Sequence, residues 1–305
     1  MALHCIGTKA SRAGEALTAI LRDPDEWVRA TVPSALIATL APRMVPALIE
    51  ALNDPSLSVR KAAAHAIGRL PDRSNRERAP PDLLRRLTDA DAEVRRLAAM
   101  ALGDFRDPPA ELTRAWIERL EDVDQHVRTE AAFAFGRWDA DDEVLAALIG
   151  TLAHPVANTR AHAALALARI GSRASRAVPD LRRALADPEA SVCSSALRAL
   201  VNIGRPAAEA LPELLRALRH PDRDVRAGAA QVLARLGPVA ADAVESLCAG
   251  LTEMDNGIRY WCARALGEIG PAAAAAVPQL TRELSNHFVR DAAAEALRKI
   301  RPAVK

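Results

Sequence analysis

The feature that most constrains this 305-residue chain is an internal repeat. An apolar residue followed by Arg, then small residues, then Ala-Leu, recurs from Val59-Arg60 to Leu70, Val94-Arg95 to Phe105, Val127-Arg128 to Trp138 and Val225-Arg226 to Leu236. Further copies begin at Val28-Arg29, Ile258-Arg259 and Val289-Arg290, with divergent ones at Thr159-Arg160 and Val192-Cys193. The anchors at 28, 59, 94, 127, 159, 192, 225, 258 and 289 are 31 to 35 residues apart. Self-similarity at this period means stacked supersecondary units, because one unit cannot bury its apolar face alone.

Counting the anchor as position 0, apolar residues fall at positions 0, 4, 7, 8 and 11, for example Val59, Ala63, Ala66, Ile67 and Leu70. That spacing predicts one stripe of an amphipathic helix, helix B. An Asp, Asn or His with Pro precedes it, as in Asn53-Asp54-Pro55, Asp187-Pro188 and His220-Pro221, which is turn and cap chemistry. Upstream lies a second amphipathic segment, helix A, such as Val178-Pro179-Asp180-Leu181 to Leu185. Gly171, Gly204, Gly237 and Gly270 stand where helix B should end. The abundance of alanine suits hairpins that approach each other closely, and an aromatic content of 3% argues against one large core.

Lys+Arg is 41 and Asp+Glu 39, so the net charge of +2 implies no polyelectrolyte partner. Only Lys9, Lys61, Lys299 and Lys305 are lysines, a bias that reads as a GC-rich bacterial genome. Cys5, Cys193, Cys248 and Cys262 lack CxxC spacing and read as small, buried, reduced residues. No signal-peptide core and no apolar run of membrane-spanning length occurs, so the expectation is a cytoplasmic protein without membrane association.

The unit Ile269-Gly270-Pro271 to Ala276-Val277-Pro278-Gln279-Leu280, with the Asp/Asn turn and Val-Arg-x-x-Ala-Ala, resembles the HEAT repeat. It is most similar to the bacterial phycobilisome-lyase HEAT-like variety. The resemblance spans the chain and implies an all-α, right-handed α-α superhelix of about nine hairpins, with helix B on the concave face. It also implies a ladder between repeats, joining Asp54, Asp89, Asp122, Asp187 and Asp255 with Arg29, Arg60, Arg95, Arg128, Arg226, Arg259 and Arg290. Cys193 in place of Arg, and His154, His220 and Asn286 in place of Asp, should interrupt it. The expected organisation is one array over 1–305, with 1–9 a truncated half-repeat. Ala2 to Ala10 aligns with Ala265 to Ala273, so the chain is expected to be the C-terminal part of a longer array, or to have a start assigned late.

Catalytic motifs are absent. No HExxH and no His-Glu dipeptide occurs, against the di-iron chemistry of the HEAT-like deoxyhypusine hydroxylases. No GxxxxGK[ST], GxGxxG or GxSxG is present either. We therefore expect no catalytic residue, no cofactor and no metal. The HEAT-like alkyl-purine DNA glycosylases use concave tryptophans and an aspartate. Here Trp27, Trp116 and Trp138 read as core, and Trp261 beside Tyr260 is left open. A phycobilin-lyase-like role rests on family analogy alone.

Positions 2, 6 and 10 of helix B turn away from the core stripe. Along them run Met100, Phe133 and Leu165, flanked by Arg69, Arg96, Arg137, Arg169 and Arg198, with Arg235, Tyr260 and Arg264 further on. Either the apolar members pack against neighbouring repeats, or they form an exposed patch with an arginine rim. The patch suits an amphipathic or acidic peptide. The reading is a non-catalytic protein-interaction scaffold. Nucleic acid along the arginines is the alternative, opposed by Asp104 and Glu268 in the same row.

Overall fold

The structure is a computed structural model, and it describes residues 13–39, 44–69, 81–103, 110–135 and 142–300. The proposed half-repeat at 1–9 lies outside these ranges. Eighteen α-helices alternate as helix A and helix B, and no strand occurs among the described residues. They are α1 (13–20), α2 (Glu26–Thr39), α3 (Met44–Ala51), α4 (Leu57–Gly68), α5 (Pro81–Arg85), α6 (Ala92–Leu102), α7 (Ala110–Arg119), α8 (Gln125–Phe135) and α9 (Asp142–Thr151). The remainder are α10 (Ala157–Ile170), α11 (Val178–Ala184), α12 (Ala190–Ile203), α13 (Leu211–Ala217), α14 (Arg223–Leu236), α15 (Val244–Gly250), α16 (Asn256–Ile269), α17 (Val277–Glu283) and α18 (Arg290–Ile300). The even-numbered helices begin within two residues of the repeat anchors, so each of the nine copies is one hairpin of the all-α superhelical fold.

The chain divides into two compact units, Met1–Asp139 and Ala140–Lys305. Within the first, α2, α4, α6 and α8 stack in succession, and within the second α10, α12, α14, α16 and α18 do the same. The stripe at positions 0, 4, 7, 8 and 11 is the core: Val225, Ala229, Val232, Leu233 and Leu236 of α14 are all buried. Alanine brings the layers together because a larger side chain has nowhere to go. At Gly267 of α16 even a Cβ would stand 2.8 Å from the Ala296 Cα of α18.

Four hairpin junctions of the second unit share one device. Gly171, Gly204, Gly237 and Gly270 sit at φ of 69°, 80°, 62° and 77°, in a region that side chains avoid. The amide of each glycine closes the last turn of helix B, as Gly204 does on the Leu200 carbonyl at 3.1 Å. A short 3-10 turn then leads into the next helix A, for example Arg205–Ala210 before α13. Among the tryptophans, Trp116 is fully buried and meets Phe135 edge to face at 5.8 Å, as expected. Trp27 is not core: it is 72% exposed. Position −1 lies off the apolar stripe; it carries polar or small residues such as Ser58, His126 and Asp224 in most other repeats, and Phe288, the exception, is likewise exposed. Trp138 lies outside the described residues.

Candidate functional site

Two systems of arginine share the helices, and separating them defines the site. The first is structural. The helix-B arginine at position 1 donates Nη1 back to the two carbonyls that open its own turn, as Arg95 does to Asp89 at 2.8 Å and Ala90 at 3.1 Å. Its Nε and Nη2 then grip the turn acid of the next repeat. Arg29 holds Asp54 at 2.8 and 2.9 Å, Arg95 holds Asp122 at 2.7 and 2.8 Å, and Arg160 holds Asp187 at 2.7 and 2.8 Å. Arg60 pairs with Asp89 at 3.0 Å. The same carboxylates accept the amide two residues on, such as Ser56 onto Asp54 at 2.8 Å. Hydrogen bonding from Arg29 holds the Asp54 carboxyl below its ordinary pKa against the opposing effect of burial. For Asp122 and Asp187 burial is the largest single influence and pushes upward, but the arginine and amide donors together outweigh it and the net shift is down.

Three ladder positions differ from expectation. Asp255 is not a rung; it caps α16, accepting from Gly257 at 2.7 Å and Ile258 at 3.1 Å. The rung is Glu253, 2.8 Å from Arg226. Asn286 does not break the ladder, because Glu283, reached by Arg259 at 2.6 Å, supplies the acid there. Arg160, in a divergent repeat, is a full member. The ladder is interrupted at Cys193 with His220 and at His154, three of the four positions expected to break it. The Cys193 thiol reaches the Asp187 carbonyl at 3.3 Å in place of a guanidinium, and the partner position on the next turn is His220. The ring Nδ1 of His220 takes over the local task, accepting the Asp222 amide at 3.0 Å. Arg128 donates to the carbonyls of Asp122 and Val123 and, among the described residues, has no carboxylate partner, since His154 occupies the acid position.

The second system is the helix-B face of the C-terminal unit. A groove of about 520 Å³ is lined by Ser191, Ser194 and Arg198 of α12, by Asp224, Gly228 and Gln231 of α14, by the capping Asp222, and by Trp261 of α16. A second, of about 530 Å³, is lined by Arg205, Gln231, Arg235, Trp261, Arg264 and Glu268 with Val239. Gln231 and Trp261 belong to both. Arg198 and Arg235 are exposed, and neither has a carboxylate within ion-pair reach among the described residues. Arg264 lies 3.7 Å from Glu268, which also pairs with Lys299 at 2.8 Å. Tyr260 packs edge to face on Trp261 at 5.2 Å.

Of the residues singled out in the sequence, Arg198, Arg235, Arg264 and Tyr260 thus lie at or beside these grooves. Leu165 is half-buried and Arg169 exposed on α10 of the same unit. Met100 and Phe133 belong to the other unit, where both are half-buried. A Cβ at Gly68 would touch the Met100 Cε at 3.0 Å, so Met100 packs on the preceding repeat. Arg96 is engaged by Glu93 at 2.7 and 2.9 Å, with Glu130 at 3.9 Å, and Arg69 is exposed at the end of α4. Arg137 lies outside the described residues. Trp261, left open by the sequence and absent from the face row, lines both grooves; its signal is that position 3 carries Ser195 and Gly228 in the two preceding repeats, and nothing in the repeat calls for an indole there.

Among the described residues no three His, Cys, Asp or Glu side chains converge to hold a metal ion. Cys193 and Cys262 are buried free thiols, and Cys248 is half-buried. Burial pushes the Cys262 pKa up to about 12. No helix among the described residues is long and apolar enough to cross a membrane.

Helical hairpins at a period near 33, tied by an arginine–acid ladder, define an α-solenoid repeat protein. The profile of HEAT repeats matches residues 14–103, 113–201 and 185–255, and that of the PBS lyase HEAT-like repeat matches 258–286. The chain belongs to the HEAT-repeat family. Among solved structures it is similar to an engineered protein at 25% identity and a TM-score of 0.52, over 94% of this chain and 88% of that one. It is also similar to a chain of the structure in which Kap95p binding induces the switch loops of RanGDP to adopt the GTP-bound conformation. That match has a TM-score of 0.65 at 14% identity, over 94% of this chain and 44% of that one, and it shows the fold alone. No curated protein matches the sequence significantly.

Proposed function

We propose that the chain is a non-catalytic scaffold that recognises another protein on its helix-B face. The observation that carries this reading is the contrast between the two arginine systems. Ladder guanidiniums are spent on carboxylates and carbonyls, whereas Arg198 and Arg235 stand exposed beside a half-exposed Trp261. Aromatic and arginine side chains at a groove are the residue types that dominate interface energetics. Within the second unit, Leu165 and Arg169 of α10 extend the same reading, and within the first the corresponding face positions carry Met100, Phe133 and Arg69. Nucleic acid is disfavoured by Asp222, Asp224 and Glu268 lining the same grooves. The lyase-like alternative rests on the repeat type matched over 258–286 alone, which describes packing and names no catalytic residue.

The test is quantitative affinity capture from the producing cells, comparing the full chain with a Trp261→Ala/Arg198→Glu/Arg235→Glu variant of unchanged circular dichroism. The reading expects specific protein partners to fall at least about tenfold, on the scale of hot-spot losses. Undiminished recovery, or recovery of nucleic acid alone, would contradict it.

A further inference from the structure

We infer that the Trp261 grooves take an extended peptide segment with a basic residue at one end and acidic residues about five positions away. This rests on the scaffold reading and deepens it by naming the ligand.

The argument is the polarity of the face. At the N-terminal end of α14 stand the carboxylates of Asp222 and Asp224, with Asp224 75% exposed and only Arg223 at 3.5 Å beside it. At the C-terminal end stand Arg205, Arg235 and Arg264 with one carboxylate, Glu268, already engaged by Arg264 at 3.7 Å and Lys299 at 2.8 Å, whereas Arg198 lines the groove of Asp222 and Asp224. Between the two ends lie Gln231 and Trp261, common to both grooves. The surface is therefore richer in carboxylate at one end and in guanidinium at the other, with the amide and the indole between them. A uniformly acidic ligand meets repulsion at Asp224, and a uniformly basic one meets it at Arg235. A ligand of mixed sign matches both ends.

Length follows from helix geometry. Asp224 and Arg235 are eleven residues apart on one helix, so they are separated by roughly 16 Å at 1.5 Å per residue. An extended chain covers that span in about five residues at roughly 3.3 Å each. The middle of such a segment lies over Trp261 and Gln231. The indole offers an apolar face to a central side chain, and the Gln231 amide offers both a donor and an acceptor to the ligand backbone. A helical ligand would cover only about 8 Å in five residues and would leave one charged end unmatched.

The experiment uses the full chain and fluorescein-labelled decapeptides. One carries a lysine and two glutamates with four residues, including a central leucine, between them. A second has the same composition with lysine and glutamates adjacent, a third replaces the glutamates by lysines, and a fourth probe is oligo-dT of similar length. The spaced peptide is expected to bind at least about tenfold tighter than any other. Arg235→Glu is expected to reverse the order of the first and third peptides, a gain that misfolding cannot produce. Equal affinities, no binding to a folded chain, or tightest binding of oligo-dT would overturn the proposal.

Photo-crosslinking separates this proposal from the scaffold reading. Benzoylphenylalanine is placed at Trp261 in one variant and at Phe133 in another. A protein crosslinked through position 261 and carrying a spaced basic–acidic segment supports both readings. A protein crosslinked at 133 alone, or at 261 without such a segment, leaves the scaffold reading standing and overturns this one. Crosslinks to nucleic acid only, or none at either position, overturn both.

Discussion

The rungs at Arg29, Arg60, Arg95, Arg160 and Arg226 each engage three groups with one guanidinium: two turn carbonyls within the same repeat and a carboxylate in the next. Arg95 is the most complete case, with every contact between 2.7 and 3.1 Å and its partner Asp122 almost wholly buried. Arg95→Ala is expected to cost about 2–3 kcal/mol in urea unfolding, the scale of hydrogen bonds to charged groups. The pH dependence follows from Asp54, Asp89, Asp122 and Asp187, whose folded pKa values lie below the ordinary carboxylate value. Their stabilisation is complete above about pH 4, the unfolded value, and is lost as pH falls through each folded pKa. Thermal unfolding should therefore change little with pH above that value and drop below it, less steeply in Asp122→Asn. The broken rung gives a gain-of-function check. Cys193→Arg with His220→Asp should restore an ion pair, with a double-mutant coupling of about 1–2 kcal/mol in favour of the pair.

At the scale of the helix, two kinds of glycine do different work. Gly204 has φ of 80° with nothing within 4 Å of its Cβ position, so Gly204→Ala tests backbone conformation alone. The expected loss is about 1–3 kcal/mol. Gly267 has an ordinary helical backbone, but its Cβ would meet the Ala296 backbone at 2.8 Å. Gly267→Ala should cost about 1–3 kcal/mol by forcing α16 from α18, and Ala296→Gly should recover part of it. The elements were legible because the stripe at 0, 4, 7, 8 and 11 is dictated by helix geometry and the glycine by the turn. The ladder register was less so. Positions −5 and −3 both carry Asp in several repeats, as in Asp89 with Asp91 and Asp122 with Asp124. The first takes the arginine and the second caps the helix, and only three-dimensional contact distinguishes Asp255 from Glu253.

For the whole molecule, the repeat explains why 305 residues with so few aromatics can form an extended core: each layer needs only alanine and leucine between neighbours. Fold was therefore readable from sequence, and the lining of the candidate grooves only in part. Arg198, Arg235 and Arg264, which line those grooves, are legible because they occupy face positions of the repeat. Trp261 stays open in the sequence because position 3 lies at the margin of that face, and only the fold sets it in one groove with Gly228 and Gln231 of the repeat before it. Solenoids of this kind resolve into neighbouring interactions, so a ligand on the helix-B face should alter local opening there and nowhere else. Hydrogen exchange of the full chain, with and without its captured protein partner, tests that claim most directly. The account predicts slowed exchange in α12, α14, α16 and the Arg205–Ala210 turn, with α11, α13 and α15 unchanged. Slowing confined to those helix-A segments, or absent from residues 190–270, would contradict it.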